Sequence, residues 1–471
     1  MALNLSRNTR MWITTNVNAT TGVLGDTATG FTAANTMELQ ILDGYSFSQA
    51  TNNQVITLNE AGTAPVRGQR SFNTALNPAE FSFSTYIRPS GSAAGTITCA
   101  ERFLWNALAG DKGIEATPQT VTSGSVMART VTTTGVVTGA VIAGVSTGIK
   151  VGDSLWLSGM GDAAWNSVNA GPLTVTSITE VTNTTIGGTF VKAPTSTGLN
   201  STAGGSTRIA RGQWFENATQ AYAMTSLAGS NKHQLQKFAL IFLVDNVYYA
   251  IDNCALNQAT IDFGLDAIAM IAWSGNGTAI KKLANITASG TTLGGAVVSA
   301  FNANANYITN KLSTVTLKGN IGGTGTNYII PITGGSFTIN NNINYITPSN
   351  LGVVNQPIGY YTGTRAVSGT LTAYLRAGAG DTTESGGLLT ALLTAGSETK
   401  FAMQVEIGGT TNSVKVELDM PGVTLTVPTV DIADVVSTTI NFTAQGYDTV
   451  LGNQTFDLTA TNDLLVRYYS A

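Results

Sequence analysis

The residues able to do chemistry are few and scattered. The chain has one histidine, His233, and two cysteines, Cys99 and Cys254. One histidine excludes any two-histidine metal motif. His233, in Asn231-Lys-His-Gln234, also lacks the Cys or carboxylate neighbours that would complete a zinc site, and it reads as a solvated loop or strand-edge residue. Two thiols cannot form a disulfide framework. They read as free and buried, with a Cys99–Cys254 bridge left open. Asp262, Asp266, Asp431 and Asp434 could in principle pair for acid–base work, but nothing in their spacing singles them out. The glycine-rich run Gly319-Asn-Ile-Gly-Gly-Thr-Gly325 lacks the Lys-Ser/Thr of a phosphate loop and reads as a turn between strands. No CxxC, GxSxG or dinucleotide fingerprint occurs. No enzyme activity, cofactor or metal is expected.

The composition suits a scaffold better than a catalyst. Charged residues make up 11% of the 471 residues, about half the usual share. Threonine, valine and asparagine are abundant and strong helix formers few, so the chain reads as β-rich. A charge-poor surface suits an obligate assembly, whose interfaces exclude charge. The net charge of −4 opposes a nucleic-acid grip, which needs a basic footprint. Arg7 and Arg10 lie where a signal peptide would have its apolar core. The most apolar run, Phe238–Val244, is too short to span a bilayer and reads as a buried strand.

The elements that must position these residues occur twice. Ile41–Thr57 (ILDGYSFSQATNNQVIT) aligns without a gap to Pro331–Thr347 (PITGGSFTINNNINYIT), 290 positions later, with six of seventeen residues identical. They are Gly44/Gly334, Ser46/Ser336, Phe47/Phe337, Asn52/Asn342, Ile56/Ile346 and Thr57/Thr347. Two long-period copies indicate a duplicated domain rather than a solenoid. The likeness continues: Phe81–Arg88 resembles Gly369–Arg376, each with Tyr two residues before Arg and each alternating as a strand does. Helices are expected at Glu101–Gly110, with Leu104 and Leu108 one turn apart, and at Glu384–Gly396, with Leu388, Leu389, Leu392 and Leu393 on one face. Each has Glu in its first turn and Gly at its end. Lys237-Phe-Ala-Leu240 then matches Lys400-Phe-Ala-Met403, and further strands follow. Each copy suits an antiparallel sandwich with one helix packed on it.

Copy one carries an insertion that copy two lacks. Thr117 to about Arg211 is rich in Thr, Gly, Val and Ser. Gly148–Leu157 and Leu173–Val181 alternate as half-buried strands. The reading is a small all-β domain, which fits only in a surface loop. The expected layout is a discontinuous first domain (1–116 and 213–290), the insertion (117–212) and a second domain (291–471). Long loops follow each repeat window, Leu58–Asn77 and Pro348–Ser368, and loops of that length suit partner contacts.

Several stretches resemble the trimeric tail tube (major tail) proteins of long-tailed siphophages. They include Leu5-Ser-Arg-Asn-Thr-Arg10, Asn59-Glu-Ala-Gly62 with Arg67-Gly68 following, Phe81–Ile87, Asn257-Gln-Ala259, Trp273–Gly277, Ile332–Asn342 and Leu371–Tyr374. The resemblance covers both copies. It implies a mainly β fold of two tandem tail-tube-type β-sandwiches, each with a flanking helix. It implies homotrimer rings with six quasi-equivalent domains, stacked head-to-tail into a virion tail tube made in the host cytoplasm. Genome DNA would pass through the lumen without specific binding, and other tail proteins would meet the tube ends. No catalytic, cofactor or metal residues carry over. Stacking contacts fall on the loops, here Asn59, Glu60, Arg67, Arg70, Asn355, Tyr360, Tyr361 and Arg365, and on an N-terminal arm with Arg7 and Arg10. A DNA conduit should have a neutral to acidic bore, since each neutralised phosphate adds affinity. The alternative is a phage decoration or adhesin-like surface-binding protein.

Overall fold

Alternation of apolar and polar residues sets the strands of one sheet, such as that at Ala79–Tyr86, while an unbroken apolar run at Phe238–Val244 sets the central strand of the other. The computed structural model describes residues 9–18, 21–24, 31, 35–56, 70–91, 97–99, 101–109, 119–120, 126–128, 136–142, 154–160, 173–181, 183–190, 200–211, 219–224, 235–245, 247–283, 307–319, 327–351, 354–376, 384–394, 400–408, 415–426, 429–431, 436–445 and 464–469. The elements before the insertion are β1 (Thr9–Thr14), β2 (Thr36–Leu39), β3 (Ser46–Ser48), β4 (Thr51–Ile56), β5 (Arg70–Leu76), β6 (Ala79–Tyr86), β7 (Pro89–Gly91), β8 (Ile97–Cys99) and helix α1 (Arg102–Ala109). Within it are β9 (Gln119–Thr120), β10 (Val126–Ala128), β11 (Val136–Ile142), β12 (Ser154–Met160), β13 (Leu173–Val181), β14 (Asn183–Phe190) and β15 (Asn200–Arg211). Then come β16 (Thr219–Met224), β17 (Phe238–Val244), β18 (Val247–Gly264), β19 (Met270–Gly277) and β20 (Ala279–Leu283). The later part holds β21 (Thr314–Gly319), β22 (Asn327–Ile330), β23 (Ile332–Asn340), β24 (Ile343–Ile346), β25 (Gly359–Thr362), β26 (Ala366–Tyr374), helix α2 (Ser385–Thr394), β27 (Lys400–Ile407), β28 (Lys415–Leu425), β29 (Thr429–Asp431), β30 (Ser437–Gln445) and β31 (Leu464–Tyr469).

The first half packs two antiparallel sheets around an aromatic core. One runs β2-β1-β17-β18-β20. The other runs β3-β6-β19-β18. β18 belongs to both, as corner strands of orthogonal sandwiches do. It passes through Asn253 at φ 47° and a register shift between Leu256 and Gln258. Phe81, Phe83, Trp273, Phe238 and Phe242 fill the space between the sheets. Trp105 of α1 meets Trp273 edge-on at 5.1 Å. β17 is apolar throughout because both its faces are covered, one by this core and the other by Trp12, Phe31 and Ala250 around Ile241.

The second half repeats the pairing register. Phe47 pairs Phe81, and Phe337 pairs Gly369. Phe81 pairs Gly275, and Gly369 pairs Phe442. Leu256 faces Gly275 as Leu425 faces Phe442. Ile13 faces Leu240 as Leu317 faces Met403. Register shifts fall at Phe238/Leu240 and at Phe401/Met403, the same place in both halves. Ser46 shares a hydroxyl hydrogen bond with Ser82 at 2.9 Å, as Ser336 does with Thr370 at 3.2 Å.

The halves are joined by strand pairing. The C-terminal part of β18 pairs β23 from Gln258↔Asn340 to Gly264↔Gly334. β16 pairs β31, which also pairs β28. The buried Asn341 side chain donates to the carbonyls of Leu108 and Leu256, tying β23 to α1 and β18. The strands between β9 and β15 form a separate antiparallel sheet in which β13 spans Leu173–Val181 as its alternation predicts; β12 covers Ser154–Met160, and the start of the expected strand at 148–153 lies outside the described residues.

The helices differ from expectation in two details. Glu101 and Glu384 do not lie in the first turns. They are the residues just before them, whose carbonyls accept from Trp105 and Leu388 at 2.9 and 3.0 Å, which is the backbone role of an N-cap. Leu388 is buried and Leu392 and Ala391 pack on the core, but Leu393 is 66% exposed, because successive helical residues turn by about 100°. Gly110 and Gly396 lie outside the described residues.

Candidate assembly interface

Eight strands form one ladder across both halves, in the order β3-β6-β19-β18-β23-β26-β30-β29. One face of this sheet is the core. The other carries Glu80, Ser82, Ser84, Ala272, Ser274, Asn276, Thr260, Asp262, Ser336, Thr338, Ser368, Thr370, Asn441 and Thr443 at alternating positions. No Lys, Arg or His occurs in any of the eight strands' described segments (from Gln258 onward in β18). Cations on other strands include Arg10 on β1, Arg70 on β5, Lys281 and Lys282 on β20, Lys318 on β21, Lys400 on β27, Lys415 on β28 and Arg467 on β31, while Arg88, Arg365 and Arg376 stand just beyond the ends of β6 and β26. The open face is thus short-chained, polar and, at Glu80 and Asp262, acidic. A shallow polar cleft on it is lined by Ser46, Ser48, Glu80, Ser82, Asn257, Ser274 and Asn276.

Two β-ribbons leave one end of this sheet. β4 and β5 pair from Thr51↔Leu76 to Ile56↔Arg70, and β24 and β25 from Ile343↔Thr362 to Ile346↔Gly359. The stretches expected to be loops are therefore partly strand: Arg70–Leu76 and Gly359–Thr362 belong to ribbons. The ribbons expose apolar side chains, among them Val55, Phe72, Ile346, Leu351, Ile358 and Tyr361, with Leu351 fully exposed and Ile358 66% exposed. At the opposite end of the same strands Leu265, Ile268, Met270, Tyr307, Leu312 and Tyr374 are also exposed.

The structure separates the residues expected at stacking contacts. Tyr361 points outward, 52% exposed. Tyr360 is half-buried, donates its hydroxyl to the Leu235 carbonyl at 2.9 Å and packs on Tyr345; burial pushes its phenol up to about 12. Tyr345 in turn donates to the carbonyls of Asn253 and Asn276, so this ribbon is anchored on the first half. Asn355 clips the ribbons together: its carbonyl accepts from Leu76, its amide donates to Thr74, and its side chain bonds Asn350. Arg70 is exposed at the start of β5 and Arg365 is half-buried before β26. Arg10 is not on a free arm. It lies in β1, where it forms a two-pronged pair with Glu38 at 2.8 and 2.6 Å and covers the Trp12 ring. Asn59, Glu60, Arg67 and Arg7 lie outside the described residues, as does His233.

The sequence reading missed one charged cluster. Lys415, fully buried, contacts Glu406 at 2.7 Å and Glu417 at 2.5 Å, and Thr314 donates to Glu406. These residues are far from one another only in the sense of alternating along a hairpin, and no motif marks them. Cys254 is a free buried thiol that donates to the Ile251 carbonyl, which removes the Cys99–Cys254 bridge; burial raises its ionisation point well above the ordinary value. Among the described residues no three His, Cys, Asp or Glu side chains converge as a metal site would require, and no helix is long and apolar enough to cross a membrane.

Fold and surface together define a mainly β protein with one charge-segregated sheet and apolar ends. No family model matches the chain. It is 28% identical over 376 residues to tail tube protein pb6 of Escherichia phage T5, an alignment covering 80% of this chain and 58% of that protein. The resemblance to tail tube proteins read from the sequence is thus borne out, and the chain spans 58% of the length of the curated relative it matches. A chain of the 6-fold symmetrised cryo-EM structure of an anti-feeding prophage baseplate aligns over 28% of this chain and 87% of its own, at 11% identity and a TM-score of 0.22, and supports no structural argument.

Proposed function

We propose that this chain is the structural, non-enzymatic subunit of a phage tail tube, resident in the virion tail. The observation that carries the reading is the eight-strand ladder whose strands carry no cation on their open face among the described residues. Facing a bore, such a sheet would let DNA pass without specific binding, because no side chain replaces counterions on the phosphates. The similarity to pb6 supports the same role.

The finer reading is a ring of three chains with six quasi-equivalent sandwiches. The coincident registers of the two halves support an internal duplication, with domains at 1–116 plus 213–290 and at 291–471 and the 117–212 domain on the outer wall. Three eight-strand ladders closed into a barrel, at about 4.8 Å per strand, give a backbone diameter of roughly 37 Å before tilt widens it. Rings stack head-to-tail, a heterologous contact that propagates. The exposed apolar ribbons of one ring dock on the Leu265, Ile268, Tyr307 and Leu312 patch of the next. Other tail proteins cap the ends. Negative-stain microscopy of the purified protein tests this: rings or tubes are expected, and compact monomers at high concentration overturn it.

A further inference from the structure

The two edges of the eight-strand ladder are the register counterparts of strands that pair inside the chain. β23 is held on both sides, by β26 and by β18. Its counterpart β3 pairs only β6 among the described residues. Likewise β18 pairs both β19 and β23, whereas β29 pairs only β30 among the described residues. Thr260 faces Ala272 and Thr429 faces Thr439, which sets Thr260-Ile-Asp262 against Thr429-Val-Asp431 in both register and sequence. Burial tells the same story. Phe337 is 0% exposed, but its counterpart Phe47 is only partly buried and Ser46 and Ser48 are exposed. Among the described residues the first half has no strand beside β3 where the second half has β18 beside β23. An unpaired edge next to a half-covered aromatic is a template for strand addition.

We propose that the internal junction is copied between chains: Thr429–Asp431 of one copy pairs antiparallel with Ser46–Ser48 of the next. The internal pairs Thr260↔Thr338, Ile261↔Phe337 and Asp262↔Ser336 translate to Thr429↔Ser48, Val430↔Phe47 and Asp431↔Ser46. The partner is a second copy of this chain because the missing strand's own counterpart, with the same Thr-aliphatic-Asp sequence, lies on the opposite edge of the same sheet. The pairing is head-to-tail, so it extends the ladder from chain to chain until it closes. The inference rests on the tube reading above and adds the residue register that reading does not supply.

Cysteine cross-linking tests the register. The Thr260 and Thr338 hydroxyls lie 3.4 Å apart, so cysteines at the counterpart positions fall within disulfide reach. A Thr429→Cys, Ser48→Cys chain, assembled and oxidised, is expected to give a covalent ladder ending at the closed ring. Thr429→Cys with Phe47→Cys is expected to give none, since a one-residue slip places the side chains on opposite faces. Mixing chains bearing only Thr429→Cys with chains bearing only Ser48→Cys should give covalent pairs and avoids loading two changes on one chain. In the unmodified protein, amide exchange at 46–48 and 429–431 should slow on assembly. Rings that form without the cross-link and with unchanged exchange overturn the register while leaving the tube reading intact. Absence of any ring from unmodified protein overturns both.

Discussion

Gly369 and Phe442 stand opposite each other on β26 and β30, and the phenylalanine ring lies over the glycine backbone. A Cβ on Gly369 would fall 2.5 Å from Cζ of Phe442 and 2.2 Å from the Ser336 carbonyl oxygen. The first half holds the same pair reversed: Phe81 on β6 covers Gly275 on β19, where a Cβ would lie 2.7 Å from Cζ of Phe81 and 2.3 Å from the Ala255 carbonyl oxygen. One ring fits each slot, whichever strand supplies it. Gly369→Ala and Gly275→Ala should therefore each cost about 1–3 kcal/mol, the usual range for overpacking. Because a backbone oxygen also blocks each site, trimming the ring with Phe442→Leu should restore only part of the loss in Gly369→Ala. Chemical denaturation of these three variants checks this.

The Lys415 cluster makes stability depend on alkaline pH. Burial alone would lower the lysine's ionisation point, but Glu417 and Glu406 outweigh it and hold it above the ordinary 10.5. A group raised in the folded state contributes stability that is complete below its unfolded value and is lost as pH climbs through the folded one. The unfolding free energy should therefore carry this contribution unchanged from neutral pH to about 10, then lose it above that. Lys415→Met strands two buried carboxylates and should cost about 3–5 kcal/mol at neutral pH. It should also remove that alkaline loss. Urea titrations of both proteins across pH 7–11 measure it.

Much of the fold was legible because its signals are local. The alternation in Ala79–Tyr86 and the apolar run Phe238–Val244 each dictate a strand and its burial, and Leu104 and Leu108 dictate the buried face of α1. The identical Gly44 and Gly334 mark the repeat but serve different ends: Gly44 has φ 94° with open space around it, while Gly334 lets the Phe263 carbonyl approach. What sequence could not supply were the long-range pairings. Nothing local says that β18 passes through two sheets, that β16 joins β31, or that Tyr360 is half-buried and hydrogen-bonded while Tyr361 is exposed. Residue type placed both tyrosines at a contact surface, and only the ribbon's alternation separates them.

That separation predicts opposite phenotypes for neighbouring residues. Tyr361→Ser, Leu351→Asp and Ile358→Asp remove or charge apolar groups already exposed in the single chain, so the fold should keep its stability within about 0.5 kcal/mol. Each lost apolar contact is worth about 1.5–3 kcal/mol when buried, and it recurs at every ring, so tubes should give way to single rings. Leu265→Asp and Leu312→Asp at the other end should do the same. Tyr360→Phe should instead lose about 1 kcal/mol of fold stability with its hydrogen bond to Leu235 and still stack. Sedimentation velocity separates rings from tubes, and thermal melts report the fold.

Charge on the open sheet face should decide whether DNA slides or sticks. Ala272, Asn441 and Thr443 are exposed there, outside the core, so Ala272→Lys, Asn441→Lys and Thr443→Lys together should leave the sandwich folded and assembly intact. The unmodified assembly should show no retention of duplex DNA at physiological salt. The triple-lysine assembly should retain it, with an affinity whose logarithm falls against the logarithm of salt concentration by roughly 0.9 for each phosphate neutralised. Three lysines on β20 and β21, where Lys281, Lys282 and Lys318 already stand, should have no such effect if those strands lie on the outer wall. Filter retention of labelled duplex across a salt series reads both. Equal retention by the two sets of lysines would mean that the cation-free face does not line the bore.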